Sequence, residues 1–267
     1  MFKKIGFIGA GKMAQAMIAG IVKANNELKE KIMASAATEN SINAVSEKFG
    51  ILTTIHNKEV ARFADILILA IKPDSHPKII EEIKSEINQN TIIVTIAAGI
   101  KLADLERLFG FQVKAVRTMP NTPSLVKAGM SVLCGNKCIL EEELILVEQL
   151  FQSFGQTERL EEKLMDAVPA ISGSSPAYVY MFIEAMADGG VRQGIPRDKA
   201  YRLAAQAVLG AAKMVLETGV HPGELKDQVC TPGGATIEAV ATLEKEQFRG
   251  AVLTAMESCT IKVKSLG

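Results

Sequence analysis

Along the first part of the chain, apolar residues fall in short unbroken runs: IGFI at Ile5–Ile8, ILILAI at 66–71 and IIVTI at 92–96. Similar runs close near Ser35 and Arg117, and GMSVLCGN adds one more. A run that is apolar on both faces suits a strand deep in a parallel sheet, covered above and below. Between the runs lie stretches of helical composition. After Gly11, one helical face collects Met13, Ala16, Met17, Gly20 and Ile21, and HPKIIEEIKSEI and KLADLERLF have the same character. Strands alternating with helices predict an open, mostly parallel α/β sheet over residues 1–162. Past residue 162 the strand pattern stops, which predicts an all-α domain over 163–267. There Pro176 and Pro196 suit first helical turns, and Gly189, Gly190, Gly194 and Gly219 suit helix ends.

The first run stops at Gly9 and is followed by Gly9-Ala10-Gly11-Lys12-Met13-Ala14, a G-x-G-x-x-A spacing between a strand and a helix. This is the Rossmann fingerprint: Gly9 for the tight turn, Gly11 for close approach of a pyrophosphate, and a small Ala14 for helix–strand packing. NAD-preferring folds end the second strand on an acid that bonds the ribose 2′-hydroxyl. Here that place holds Ala34, Ser35, Ala36, Ala37 and Thr38, with Glu39 the first acid. Lacking a carboxylate to repel a 2′-phosphate, the loop favours NADP, with NADPH preferred over NADH, although no Arg follows to clamp the phosphate. Ligands of open α/β sheets bind beyond the carboxyl ends of the strands. That puts Ala70, Lys72, Pro73, Ala98 and Asn121 on the cofactor rim, each also readable as an ordinary loop residue.

In the helical half, AYVYMFIEAMADGG is apolar nearly all round and predicts a helix buried on most sides. The alanine-rich RDKAYRLAAQAVLGAAKMVLETG predicts close helix packing. About 100 residues of such helices carry more apolar surface than they can bury alone, which predicts a homodimer. The competing arrangement is a monomer whose helices pack on the first domain. SGSSPAY, between two helical stretches, supplies hydroxyls for a helix cap or a pocket wall. A second glycine cluster lies in DQVCTPGGATIEAV, with Thr231 before it and Thr236 after it. There Gly233, Gly234, Ala235 and Thr236 line up backbone N–H groups at a helix start, a seat for a carboxylate.

Composition narrows the partners. The 267 residues suffice for one large or two medium domains, and 48% hydrophobic with 22% charged residues argues against long disorder. Thirty basic and thirty acidic residues cancel, which leaves no footprint for nucleic acid or an anionic membrane. Cys134, Cys138, Cys230 and Cys259 lack the neighbours of a zinc site, so no metal is expected and the thiols read as buried or idle in a reducing compartment. With no room for a secretory segment before IGFI and no run of about 18 apolar residues, a cytoplasmic protein is expected.

With AIKP, MPNTP, SGSSPAY, ADGG, HPGELKD and TPGGATI in this order, the chain resembles pyrroline-5-carboxylate reductase over essentially its whole length. The resemblance implies a Rossmann domain, an all-helical dimerisation domain, dimers that often assemble into rings, and reduction of 1-pyrroline-5-carboxylate to L-proline by NAD(P)H. It places cofactor contacts on Gly9, Ala10, Gly11, Lys12, Met13, Ser35, Ala36, Asn57, Ala70, Ile71, Lys72 and Ala98. It places substrate contacts on Glu162, Gln228, Ala235 and Thr236. The family often has Asn where Gln228 stands, Ser where Thr231 stands, and Ser where Ala36 stands. The substrate is a cyclic imine with a carboxylate. The 233–236 amides would seat that carboxylate, and the Thr236 hydroxyl would bond the ring nitrogen as a positioning and relay group; its competing role is a helix cap. Two other readings stay open: a nucleotide-binding protein without catalysis, and a hydroxyacid dehydrogenase using Lys163.

Overall fold

The computed structural model describes residues 3–265. Contacts divide the chain into two compact units. The first gathers the chain through Ser174, with the end of the last helix from Cys259. It holds one eight-stranded sheet: β1 Ile5–Ile8, β2 Ile32–Ser35, β3 Leu52–Thr54, β4 Ile66–Leu69, β5 Ile92–Thr95, β6 Lys114–Met119, β7 Gly129–Gly135 and β8 Gly155–Arg159. The order is β3-β2-β1-β4-β5-β6-β7-β8, parallel throughout except where β7 meets β6 antiparallel. The expected Rossmann layout with a mostly parallel sheet is therefore present. Two strands carry no apolar run: β3, whose Leu52 is exposed, and the polar β8 (GQTER). Both are edge strands, half solvated, so burial does not write itself into their sequence.

Helices α1 Lys12–Ala24, α2 Glu39–Phe49, α3 Asn57–Phe63, α4 His76–Ile83, α5 Leu102–Phe109 and α6 Glu141–Gln152 flank the sheet. The ILIL of β4 shows why central strands read as continuous runs. Ile66 and Ile68 join one core with Met17, Ile21, Phe151 and Phe154, while Leu67 and Leu69 join the other with Val60, Ile80, Leu105 and Phe109. Alternate side chains point to opposite faces, and both faces are covered. The apolar run continues to Ile71, but the strand ends at Leu69.

The compact units part after Ser174, whereas the end of the strand pattern places the division at 162/163. The intervening residues are held to the sheet: Met165 and Val168 are fully buried in its core, and Asp166 pairs with Arg117 at 2.5 Å. A π-helical turn, Pro169–Gly173, follows them, within which the Ser172 hydroxyl turns back to the Val168 carbonyl.

The second unit, Ser175–Ser258, is wholly helical: α7 Ser175–Arg192, α8 Arg197–Thr218, α9 Pro222–Val229, α10 Ala235–Lys245 and most of α11 Phe248–Lys264. Gly189 and Gly190 do not end α7 but lie inside it; a Cβ at Gly190 would sit 3.3 Å from the Ala200 Cβ of α8, so that glycine permits close helix approach. Gly219 does end α8, in the left-handed conformation. The burial expected for α7 is not met within this chain: Val179, Tyr180, Met181, Phe182 and Met186 are all exposed.

Candidate functional sites

In the sheet unit, the carboxyl ends of β3, β2, β1, β4 and β5 lie side by side, and they bring the expected cofactor residues to one rim. Gly9 has φ +96, and a Cβ on it would fall 2.4 Å from the Ala70 carbonyl oxygen, so chain packing alone demands glycine there. Gly11 differs. Its backbone is extended, and a Cβ would meet nothing within 4 Å. Gly11 is also the N-cap of α1, and no side chain caps the first-turn amides that begin at Lys12 and Met13. An uncapped helix N-terminus beside a glycine with open space is the arrangement in which backbone amides can hold an anion. Ala10 is held by the Gln15 amide donating to its carbonyl at 3.0 Å, and Ala14 is fully buried against the core.

Ser35 departs from expectation. Its side chain is fully buried; the hydroxyl donates to Asn57 Oδ1 at 2.7 Å, while the Gly9 N–H reaches the Ser35 carbonyl at 3.1 Å. Ser35 therefore supports the turn through its backbone and holds Asn57 through its hydroxyl; the half-buried Ala36 is the first residue of this strand end with exposed surface. Asn57 opens α3 and also donates to Glu82 Oε2 at 3.1 Å. Asn121 stands on the rim after β6, but its amide is committed: Oδ1 accepts from the Met130 N–H and Nδ2 donates to the Ser172 carbonyl, both at 2.9 Å. Its side chain ties β7 to the π-helical turn.

One residue of this rim escaped the sequence reading. His76, fully buried, faces the Lys72 carbonyl through Nδ1 and the Thr95 hydroxyl through Nε2, each at 3.1 Å. A carbonyl only accepts, so Nδ1 carries the proton and Nε2 accepts from Thr95, whose oxygen in turn accepts from the Ala97 N–H at 3.3 Å. A neutral histidine thus joins the loop at Ala70, Ile71 and Lys72 to the loop at Ala98. Burial lowers its pKa from 6.5. Glu162 also lies in this unit, where Oε1 accepts from the Leu102 N–H at 2.6 Å and lies 3.7 Å from Arg117. Arg117, buried against Asp166, is not free to bind a substrate carboxylate. The buried Cys134 thiol is pushed up to about 11 by burial and then by Glu162, which leaves it unreactive.

In the helical unit, Thr231-Pro232-Gly233-Gly234 forms a tight turn closed by the Gly234 N–H donating to the Thr231 carbonyl at 3.0 Å, with Gly233 at φ +66. This is the type II pattern, proline second and glycine third. It corrects two expectations. The Gly234 amide is consumed by the turn, and a Cβ on Gly234 would lie 2.2 Å from Thr231 Oγ1, so that glycine answers to Thr231 rather than to a ligand. The donors left for an anion are the Gly233 N–H, which has no backbone partner among the described residues, and the first-turn amides of α10 at Ala235 and Thr236, since the N-cap Gly234 makes no side-chain bond. The Thr236 hydroxyl, half-buried, makes no hydrogen bond among the described residues and does not cap the helix. Gln228, on α9 just before the turn, is exposed and within 3.4 Å of Glu224. Lys163 is exposed and paired with Glu161, a solvated ion pair rather than a catalytic lysine.

Comparison with known proteins agrees with this layout. Residues 4–99 match a family model described as NADP oxidoreductase, coenzyme F420-dependent, and residues 162–266 match one described as pyrroline-5-carboxylate reductase dimerisation. Pyrroline-5-carboxylate reductase of Escherichia coli K12 is 47% identical over 266 residues, covering 100% of this chain and 99% of its own. Pyrroline-5-carboxylate reductase 2 of Bos taurus is 45% identical, covering 98% of this chain and 83% of its own. The crystal structure of Plasmodium falciparum pyrroline carboxylate reductase with NADP bound matches at a TM-score of 0.91 and 34% identity, covering 99% of this chain and 98% of that one.

Proposed function

The chain belongs to the pyrroline-5-carboxylate reductase family, and on that premise we propose that it reduces 1-pyrroline-5-carboxylate to L-proline with NADPH, the last step of proline biosynthesis. The observation that carries this reading is the start of α10, where unpaired amides at Ala235 and Thr236 stand beside a hydroxyl with no partner. A carboxylate on those amides gains the helix-dipole interaction without burying a counter-charge. The Thr236 hydroxyl then meets a ring nitrogen as a positioning group; an unperturbed hydroxyl is too weak an acid to protonate an imine at neutral pH. Glu162 and Gln228 complete the proposed substrate contacts. In the sheet unit, the α1 amides and the open space at Gly11 would hold the pyrophosphate, with Ala36 and Asn57 at the ribose. The dinucleotide, when bound, supplies the hydride.

The family model that begins at Glu162 supports a functional division there, with 1–162 as the cofactor domain and 163–267 as the dimerisation domain. The uncovered face of α7 supports a homodimer, the unit from which larger rings would be built. Among the described residues no helix is long and apolar enough to cross a membrane. The four unpaired cysteines support a cytoplasmic location. Oxidation of NADPH by the purified protein, dependent on pyrroline-5-carboxylate and yielding proline, tests the reading. No turnover by a protein that binds both ligands would leave a nucleotide-binding protein in its place.

A further inference from the structure

Glu82 lies on α4, far in sequence from the fingerprint, yet it closes a three-residue chain that starts at the cofactor turn. Ser35 Oγ donates to Asn57 Oδ1 at 2.7 Å, and Asn57 Nδ2 donates to Glu82 Oε2 at 3.1 Å. Ser35 is fully buried, and its carbonyl accepts the Gly9 N–H, so this chain is anchored on the turn itself. An amide between a hydroxyl and open space has no preferred face, because a hydroxyl can donate or accept. An ionised carboxylate only accepts, so Glu82 requires the NH2 end of Asn57 to face it and the oxygen to face Ser35. With that settled, one N–H and one lone pair of Asn57 lack a partner among the described residues and are presented at the ends of β2 and β3.

We propose that Glu82 is a positioning residue for the dinucleotide, fixing the Asn57 amide in the orientation that meets the adenosine ribose. The proposal rests on the cofactor reading given above. Removing Glu82 restores the flip and weakens binding of the adenosine half alone. Glu82→Ala is expected to raise the KM for NADPH about tenfold, with kcat and the KM for the imine within about twofold of wild type. Glu82→Gln, whose side-chain oxygen still accepts, should fall between the two. Adenosine 2′,5′-bisphosphate, used as a competitive inhibitor, should lose affinity by the same factor, while reduced nicotinamide mononucleotide is unaffected.

A cycle with Asn57→Ala identifies the route. If Glu82 acts through Asn57, adding Glu82→Ala to Asn57→Ala changes the NADPH affinity by less than about twofold. Equal NADPH affinity in wild type and Glu82→Ala, full additivity in the cycle, or a parallel loss in every constant with a lowered Tm would overturn the proposal. Wild-type protein that fails to bind NADPH would instead sink the cofactor reading, and this inference with it.

Discussion

At Ser35 and Ala36 a single strand position decides what an acid would do. Ser35 points inward, so Ser35→Asp would bury a carboxylate beside the Asn57 amide oxygen and destabilise the fold rather than reach the cofactor. Ala36→Asp places a carboxylate where it would accept a hydrogen bond from a ribose 2′-hydroxyl. It is expected to move the ratio of kcat/KM values from NADPH toward NADH by more than tenfold, about 1.4 kcal/mol. Steady-state kinetics with both cofactors checks this, and an unchanged ratio would remove this strand end from the adenosine site. His76 offers a second residue-scale test. Burial holds its folded pKa below 6.5, so the unfolded chain takes up the proton first. Its contribution is complete above the unfolded value and is lost as pH falls from about 6.5 toward the folded value. The non-titrating variant His76→Gln should therefore be less stable than wild type at about pH 7.5, with the Tm gap narrowing at about pH 5. A gap that holds constant with pH would mean that His76 is not kept neutral by the fold.

Among the elements, α10 shows how a motif can be legible while its chemistry is not. TPGGAT announces a turn and a helix start, but not that the turn consumes the Gly234 amide or that Gly234 makes room for Thr231, both of which depend on the folded backbone. Gly233, at φ +66 with open space where a Cβ would go, answers to backbone conformation alone. Gly233→Ala should thus cost about 1 kcal/mol of stability and shift the α10 amides, raising the KM for the imine while NADPH affinity holds. Thr236→Ala leaves the amides in place and removes one hydrogen bond. Its expected loss in kcat/KM is about ten- to hundredfold, given ~1.5–3 kcal/mol for a bond to a charged group. Turnover near wild type would return this hydroxyl to the helix surface. The same contrast runs through the first unit. Central strands were readable because both faces are buried, and G-x-G-x-x-A because backbone sterics dictate it. Edge strands β3 and β8 were not, since solvent on one side removes the apolar signature. The inward turn of Ser35, the commitment of Asn121 to Met130 and Ser172, and the neutral His76 depend on contacts between segments distant in sequence, which residue spacing does not encode.

Across the whole molecule, the helical unit cannot account for its own stability. Between Ser175 and Ser258 the buried residues are Ala187, Ala200 and Ala204, three small side chains in a unit of five helices. Meanwhile Tyr180, Met181, Leu203, Leu209, Leu216 and Leu253 are exposed, several of them by well over half. Each large apolar side chain buried contributes about 1.5–3 kcal/mol, and three alanines do not offset the backbone entropy of so many ordered residues. Surface charge does not compensate, because the pairs here, such as Arg202 with Asp198, are solvent-exposed and contribute about 0–1 kcal/mol each. Cover for α7 and α8 from outside this unit would supply the missing burial, and the match of residues 162–266 to a dimerisation family makes a second copy the economical candidate. Met181→Glu, which sets a charge on the exposed flank of α7, should shift light-scattering mass toward the monomer. Activity should fall in the same samples, with a concentration dependence that wild type lacks at micromolar protein. An isolated wild-type monomer, stable and fully active at that concentration, would show that this apolar face has some other cover.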